Sequence, residues 1–522
     1  MRIKKMVMRF RIILSSVIVI LMFFAAFGAA SAQESRKDGY GYLIDTVDSH
    51  KIRQLLNDKQ FKELNELLAS AQKDCLRDFR KEYNIADAVK VFSRTAGIED
   101  LLNEWVKDYA QEWQPYIARA GFYFGLAWAS RGEKWAKDTT DQRFKGMSDY
   151  LSKARADINS ALKLDPKILP AYIMLICMNK MVSDYLPNYL RLIGINKAAG
   201  EDLDNALVYK KAIAIFPLSF TLRLEYLYAL EPRWGGSYEA MESLVAQNQA
   251  VAKQNPRLKL LEGVIAWDQG NAAWDGLDKN KDKDKALALY NTALTAGDYW
   301  LFYEARATLY RSLKDYSKAV NDIDRAIELR PQEPDNYYER AIIQFNLKNF
   351  EESLNNIETA ADIDQLKPEY RELRQRLSKK LVAQGYEATK QKRDDGVINL
   401  YDWALKFDPK NAQAYYYKSR VAIDKGDLVQ AAKDLDTAIG LDPRYFEAYR
   451  LIDWVLFKDK QWDKIIAYWD KYIALEPADA RAFLERSGTK FHKGDINGST
   501  SDAQKACTLG NKEGCQALNG RM

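Results

Sequence analysis

Asp315-Tyr-Ser-Lys-Ala319-Val-Asn-Asp322-Ile-Asp324-Arg-Ala326-Ile-Glu-Leu-Arg-Pro331 and Asp427-Leu-Val-Gln-Ala431-Ala-Lys-Asp434-Leu-Asp436-Thr-Ala438-Ile-Gly-Leu-Asp-Pro443 stand more than a hundred residues apart and are nearly the same sentence. Self-similarity at a distance marks a repeat protein. Pro409, Pro443 and Pro477 then fall 34 residues apart, and each closes a helix because proline cannot continue one. With those prolines as repeat ends, small residues occupy the places where two helices must cross closely: Ala307, Ala319 and Ala326; Ala341, Ser353 and Ala360; Ala431 and Ala438. An aromatic stands early in each first helix, as Tyr303, Tyr337, Tyr415, Tyr449 and Phe483. A helix pair of this kind leaves an apolar face that only the next pair can cover, so the array holds together as a stack.

This combination of spacing and small residues resembles the tetratricopeptide family, from about Trp300 to Asn511. The resemblance implies an all-α fold of the α-α superhelix class. The chain departs from the family pattern at Gln365, which replaces a terminal proline, at about ten residues inserted near Leu366 to Gln375, and at Tyr472, where alanine is usual. The N-terminal half is helical by periodicity but irregular in repeat length. Leu151 to Pro166 reads as a second repeat helix, Ala212 with Pro217 as another, and a polar insertion lies between Arg131 and Met147. The expected organisation is a signal peptide at 1–32, an irregular helical domain at 33–270, a polar linker at 271–285, and a repeat array with a C-terminal capping helix at 286–522. Phe92 through Gly132, followed by the helix ending at Pro166 and then Pro232-Arg233-Trp234-Gly235-Gly236-Ser237, is also similar to an uncharacterised bacterial domain family often joined to tetratricopeptide repeats. That likeness covers about residues 45 to 260 and implies architecture without chemistry.

The first 32 residues carry Arg2, Lys4, Lys5, Arg9 and Arg11, then an apolar run from Ile12 to Phe27, then Ala29-Ala30-Ser31-Ala32. This is the pattern of a Sec-type signal with cleavage between Ala32 and Gln33, which predicts a periplasmic or secreted protein without a membrane span in the mature chain. An uncleaved N-terminal anchor is the alternative reading of the same run. Removing the five basic residues leaves 78 − 5 = 73 Lys+Arg against 73 Asp+Glu. A balanced surface gives no electrostatic reason to expect nucleic acid as a partner.

Catalysis has little to work with. His50 and His492 are the only histidines, so a Ser-His-Asp or Cys-His arrangement and a His-rich metal site are not expected, and no GxxxxGK[ST] phosphate loop occurs. Asp278-Lys-Asn280-Lys-Asp282-Lys-Asp284 alternates oxygen donors like an EF-hand loop, but Lys283 and Leu289 stand where that loop needs Gly and Glu. No cofactor and no metal are expected. Cys507 and Cys515 would sit roughly 12 Å apart along one continuous helix, too far for a bridge. Gly510 can stop that helix and turn the chain back, bringing the sulfurs together, and the local string also resembles the cysteine-bridged Sel1-like repeats. A Cys507–Cys515 disulfide stapling the last helix is therefore expected, while the pairing of Cys75 and Cys177 stays open.

Two places are left as binding sites. In the Pro232–Ser237 string, Gly235 and Gly236 permit backbone angles closed to other residues, Ser237 can cap the next helix, Trp234 can pack under the turn and Arg233 can bond carbonyls at the preceding helix end. Alternatively Arg233 and Trp234 hold an acidic or aromatic ligand group. The second place is the groove that the tetratricopeptide resemblance implies, where the fifth and ninth positions of the first helices are Glu304/Thr308, Tyr338/Ile342, Tyr416/Arg420 and Arg450/Trp454. The family's chaperone-type carboxylate clamp wants Lys and Asn there, and this chain lacks them. What it offers, in Tyr338, Tyr416, Arg420, Arg450 and Trp454, is an aromatic and arginine surface of the kind that dominates binding hot spots. The same aromatics could instead fill contacts between repeats. The leading reading is a non-catalytic envelope scaffold that binds a protein or peptide. The alternative is a carbohydrate-binding or hydrolytic protein using carboxylates and tryptophans of the N-terminal half.

Overall fold

The computed structural model describes residues 36–132, 139–183, 204–275, 281–391 and 396–519. The expected signal segment and its cleavage site lie outside these residues. Among the described residues the chain is all-α, of the α-α superhelix class: twenty-five α-helices, short 3-10 turns, and one isolated antiparallel bridge between Lys37 and Leu43. No helix among them is long and apolar enough to cross a membrane.

Two compact units divide after Glu333. The first contains α1 (Ser49–Asn57), α2 (Phe61–Arg77), α3 (Glu82–Ser93), α4 (Glu99–Asp108), α5 (Gln114–Arg131), α6 (Asp141–Leu164) and α7 (Leu169–Ser183). It continues with α8 (Asn205–Ile215), α9 (Phe220–Ala229), α10 (Tyr238–Ala252), α11 (Leu260–Asp275), α12 (Lys283–Thr295), α13 (Trp300–Ser312) and α14 (Tyr316–Leu329). The second contains α15 (Pro334–Asn346), α16 (Phe350–Ile363), α17 (Glu369–Lys390), α18 (Val397–Phe407), α19 (Ala412–Asp424) and α20 (Leu428–Leu441). It ends with α21 (Phe446–Lys458), α22 (Trp462–Leu475), α23 (Ala480–Lys493), α24 (Ile496–Thr508) and α25 (Lys512–Asn519).

Of the stretch expected as a linker at 271–285, residues 271–275 belong to α11 and 283–285 to α12, and these two helices pack directly on each other inside the first unit. Asp282 caps α12 by accepting from the Lys285 N–H, and Tyr290 buries its ring so closely against Gly270 that a Cβ there would lie 2.5 Å away. Residues 276–280, which hold part of the EF-hand-like string, lie outside the described residues.

One turn recurs between paired helices. A residue in the left-handed region is followed by an N–H that reaches back five residues: Asp315 to the Tyr310 carbonyl (3.0 Å), Asn349 to Gln344 (2.9 Å), Asp427 to Ala422 (2.9 Å), Gln461 to Leu456 (3.1 Å) and Asp495 to Lys490 (2.9 Å). The left-handed residues are Lys314, Lys348, Gly426, Lys460 and Gly494. Asp315, Asp427 and Asp495 then cap the second helix of the pair. The same reach-back occurs at Gln60 to Leu55 and at Gly236 to Glu231, so repeat-like turns extend into the irregular half, which periodicity alone did not resolve. The predicted crossing alanines are fully buried, and Ser353 donates to the Ala341 carbonyl at 2.8 Å across the crossing. A charged tie joins several pairs: Arg306 to Asp322, Arg486 to Asp502, and Arg119 to Asp157 between α5 and α6.

The departures from the pattern have local explanations. The insertion near 366–375 is absorbed as the 22-residue α17. Tyr472 packs its ring on Phe446, Tyr449 and Trp469, and its hydroxyl donates to Asp479 at 3.0 Å. Cys507 and Cys515 are bridged, with Gly510 left-handed in the turn, so α25 is tied to α24; Cys75 and Cys177 are unbridged.

The first unit closes on itself. Arg330, just after α14, is buried and pairs with Asp87 of α3 243 residues earlier, its Nη1 2.7 Å from the carboxylate and its charge centre 4.2 Å from the Tyr83 ring. Glu333 accepts from Lys90 (3.0 Å) and Arg94 (2.8 Å) and lies 3.5 Å from Arg330. Residues 36–46 strap the same seam: Gln332 donates to the Ile44 carbonyl (2.8 Å), Thr46 to Asp87 (2.6 Å) and Asn255 to the Tyr42 hydroxyl (2.7 Å). Arg257 lies fully inside, paired with Asp38 and 4.2, 5.0 and 4.9 Å from the Tyr42, Tyr83 and Phe220 rings. Glu82, also buried, accepts from Phe220 N (3.2 Å) and Thr221 N (3.1 Å) at the start of α9. That carboxylate satisfies N–H groups the helix cannot satisfy itself.

Two outcomes are expected. Lysine pays a steric cost in the left-handed region that glycine does not, so Lys460→Gly raises the thermal midpoint of the second unit, by up to about 1 kcal/mol of stability; a lowered midpoint would contradict the assignment of the turn. Burial pushes the Glu333 carboxyl up, but Lys90, Arg94 and Arg330 more than offset it and hold it well below its ordinary value of 4.5. A depressed folded pKa stabilises the fold above the unfolded pKa and is lost as pH falls. Circular dichroism melts of the first unit's transition therefore shift downward as pH drops below about 4.5. Glu333→Gln starts lower at neutral pH and shows a shallower fall over the same window.

Candidate functional site

In the second unit, the first helix of each pair carries the residues expected in the groove. Tyr338 on α15 receives a hydrogen bond from Arg376 of α17 at 2.8 Å and packs on Tyr370, ring centres 5.7 Å apart. Tyr416 on α19 lies 5.1 Å from Tyr417 and 5.0 Å from Tyr445. Arg420, one turn on, is exposed; burial raises the Tyr416 hydroxyl above its ordinary pKa and the Arg420 charge opposes that. Arg450 on α21 pairs with Glu485 of α23 at 2.9 Å, and Trp454 is 45% exposed with the Lys458 ammonium 4.9 Å from its ring. Ile342 is half-buried. Glu304 and Thr308 belong to α13 in the first unit, so they do not extend this set.

Three tyrosines that the repeat numbering missed complete a band. Tyr386 of α17 lies 5.3 Å from Tyr417, and Tyr417 packs on Tyr401 at 5.9 Å with the planes 12° apart. Through Tyr416 the band reaches Tyr445, so rings from α17, α19 and the start of α21 form one half-buried surface. Lys390 stands 4.5 Å over Tyr386. The insertion that becomes α17 interrupts the proline register and left Tyr386 without a position; the run Tyr415-Tyr416-Tyr417 was the available signal. Beyond the band, Asp453 accepts from the Trp469 indole at 2.7 Å, and burial pushes its carboxyl up to about 6.

At Pro232–Ser237 the turn geometry is as the glycines require. Gly235 is left-handed, a Cβ on Gly236 would stand 2.1 Å from the Leu230 carbonyl oxygen, and Ser237 caps α10 through the Ala240 N–H. Arg233 does not bond the helix-end carbonyls. It donates to the buried carboxylates of Glu231 and Asp268, at 2.7 Å each, and Tyr238 donates to Asp268 at 3.1 Å. The Lys180 ammonium is 5.8 Å from the Trp234 ring and 5.3 Å from that of Tyr228. Arg233 is thus occupied by the protein's own acids.

The first unit encloses a cavity of about 300 Å³ between α3, α5, α7, α9, Trp300 and the residues after α14. Its walls are mainly apolar, with Phe124, Ile173, Met174, Leu224 and Trp300. Lys90, Arg94, Arg330, Asp87, Glu333, Cys177 and Glu225 line it as well. The Cys177 thiol donates to Glu225 at 3.1 Å, and Lys180 is 3.9 Å from the same carboxylate. Burial, and after it the Glu225 charge, raises the thiol well above its ordinary pKa, so it is held as the protonated, unreactive form. Among the described residues no cluster of His, Cys, Asp and Glu could hold a metal ion.

Comparison with known proteins finds one family in the N-terminal half and another that begins inside the first unit, at residue 302. The family described as Domain of unknown function (DUF4034) matches residues 48–208 and 207–268, and tetratricopeptide repeat families match 302–333 and 398–446. The chain is 24% identical over 238 residues to Hsp70-Hsp90 organizing protein 1 of Glycine max, covering 40% of this chain and 41% of that one. It is 30% identical over 108 residues to small glutamine-rich tetratricopeptide repeat-containing protein 2 of Saccharomyces cerevisiae, covering 20% and 31%. The chain therefore spans well under half the length of these relatives. A crystal structure of YrrB, titled as a TPR protein with an unusual peptide-binding site, aligns at 17% identity over 39% of this chain and 95% of its own, with a TM-score of 0.24. The chain carries an N-terminal DUF4034 domain and, after it, tetratricopeptide repeats.

Proposed function

We propose that the protein is an exported, non-catalytic scaffold that holds a protein or peptide of the bacterial envelope on the first helices of its second unit. The observation that carries this reading is the tyrosine band Tyr386–Tyr417–Tyr416–Tyr445 with Arg420 and Lys390 beside it, continued by Arg450 and the exposed Trp454. Large rigid rings with cationic neighbours give contact area at low entropic cost and can stack on or pair with a partner's groups. The likeness of the repeats to a protein named for organizing Hsp70 and Hsp90 favours a partner-binding role. Export is favoured by the basic and apolar pattern of residues 1–32 and by the Cys507–Cys515 bridge, which suits an oxidising compartment.

The rival reading, a hydrolase or carbohydrate-binding protein built on the N-terminal half, needs carboxylates free to exchange protons or to meet a sugar. Asp87 is bound to Arg330, Glu333 to three cations, and Glu225 to Cys177 and Lys180, an arrangement that favours the scaffold. The test is a crosslinking pull-down from the envelope fraction with the native chain and a Tyr416, Arg420, Arg450, Trp454 alanine variant, both checked for folding. Defined proteins captured by the first bait and lost from the second support the reading. The same proteins on both baits would remove the groove from it, and no specific capture brings the rival forward.

A further inference from the structure

We propose that the cavity of the first unit is a binding site for a small amphipathic carboxylic acid, a carboxylate carried on a short alkyl or aryl body. The proposal is separate from the reading of the second unit and does not depend on it.

The argument starts from shape. The cavity's volume of about 300 Å³ is at the lower end for small-molecule sites, and such sites combine apolar walls with a few convergent polar groups. Here the walls come from Phe124, Ile173, Met174 and Leu224 on α5, α7 and α9, and from Trp300 at the start of α13. An apolar body entering the space exchanges water contact for these side chains.

Charge then selects the head group. Lys90 lies in the last turn of α3 and Arg94 is its C-terminal cap residue, and both meet Glu333. Arg330 joins them and is paired with Asp87. The cavity lining carries three cations, Lys90, Arg94 and Arg330, and three carboxylates, Asp87, Glu225 and Glu333, a sum of 3 − 3 = 0. Lys180, behind the lining, stands 3.9 Å from Glu225 and brings the local sum to 4 − 3 = +1. A surplus positive charge beside an apolar, partly desolvated space favours an anion and opposes an ammonium group. The Lys90 side chain is 45% exposed, so its ammonium can turn to an incoming carboxylate while Arg94 and Arg330 keep Glu333. The protonated Cys177 adds a polarisable, uncharged patch to the wall, compatible with an alkyl or aryl body.

The experiment is isothermal titration of the purified protein with octanoate, octanol and octylammonium, three probes with one body and different heads. Octanoate is expected to bind at one site, with octylammonium weaker by about tenfold or more. Lys90→Gln should weaken octanoate by about tenfold and leave octanol unchanged, and Lys90→Arg should restore it. Met174→Trp, which fills the cavity, should remove binding of octanoate in a protein whose melting curve shows it folded. The proposal is overturned if millimolar octanoate does not bind, if octylammonium binds as well as octanoate, or if folded Met174→Trp binds octanoate unchanged.

Discussion

The buried guanidinium of Arg330, set between Asp87, Glu333 and the face of Tyr83, is the contact on which the first unit depends. A charge at that depth is tolerable only with its partners in place, because desolvating an unpaired ion costs several kcal/mol. Losing Asp87 would leave Arg330 with Glu333 alone, a carboxylate it shares with Lys90 and Arg94, and breaking a buried pair costs about 3–5 kcal/mol. The contact joins α3 to the end of α14 and so turns a row of helix pairs into a closed body. The strap of residues 36–46, the ring-lined Arg257 and the Glu82 cap on α9 are fastened to the same seam. Specificity is the more plausible gain than raw stability, since ion pairs of this kind accept only one register between distant helices.

The second unit is held differently. Its pairs repeat one device: a left-handed turn, a carboxylate or amide starting the next helix, and alanine or serine at the crossing. Nothing has to return to its starting point, so each pair needs only its neighbours, and the last one is finished by the bridge between α24 and α25. Such a stack leaves the rings on its first helices partly uncovered. In the first unit closure hides the equivalent faces and leaves a cavity.

Polar groups therefore do different work in the two halves. Around the cavity the acids are tied up in cation networks, which lowers Glu333 and keeps Asp87 and Glu225 engaged. On the second unit the cations stand beside aromatic faces, as Lys390 does over Tyr386 and Lys458 over Trp454. A cation over a ring remains available to an incoming acid in a way that a cation between two buried carboxylates does not.

By itself the sequence determined the helical class, the 34-residue register of the C-terminal array, the crossing residues and the Cys507–Cys515 bridge, because each follows from neighbours within about one repeat. Turn residues, proline stops and small crossing side chains act locally and leave a periodic trace. It also singled out Tyr416, Arg420, Arg450 and Trp454, but not Tyr386, whose numbering an insertion broke, nor Tyr445, which stands just before α21 and outside the numbered helix positions. Only the tertiary structure decided that α11 and α12, on either side of the polar stretch, pack on each other, that Arg233 is spent on Glu231 and Asp268, and that Arg330 meets Asp87. Those outcomes depend on side chains tens to hundreds of residues apart, and chain periodicity carries no record of which distant charge will be buried against which.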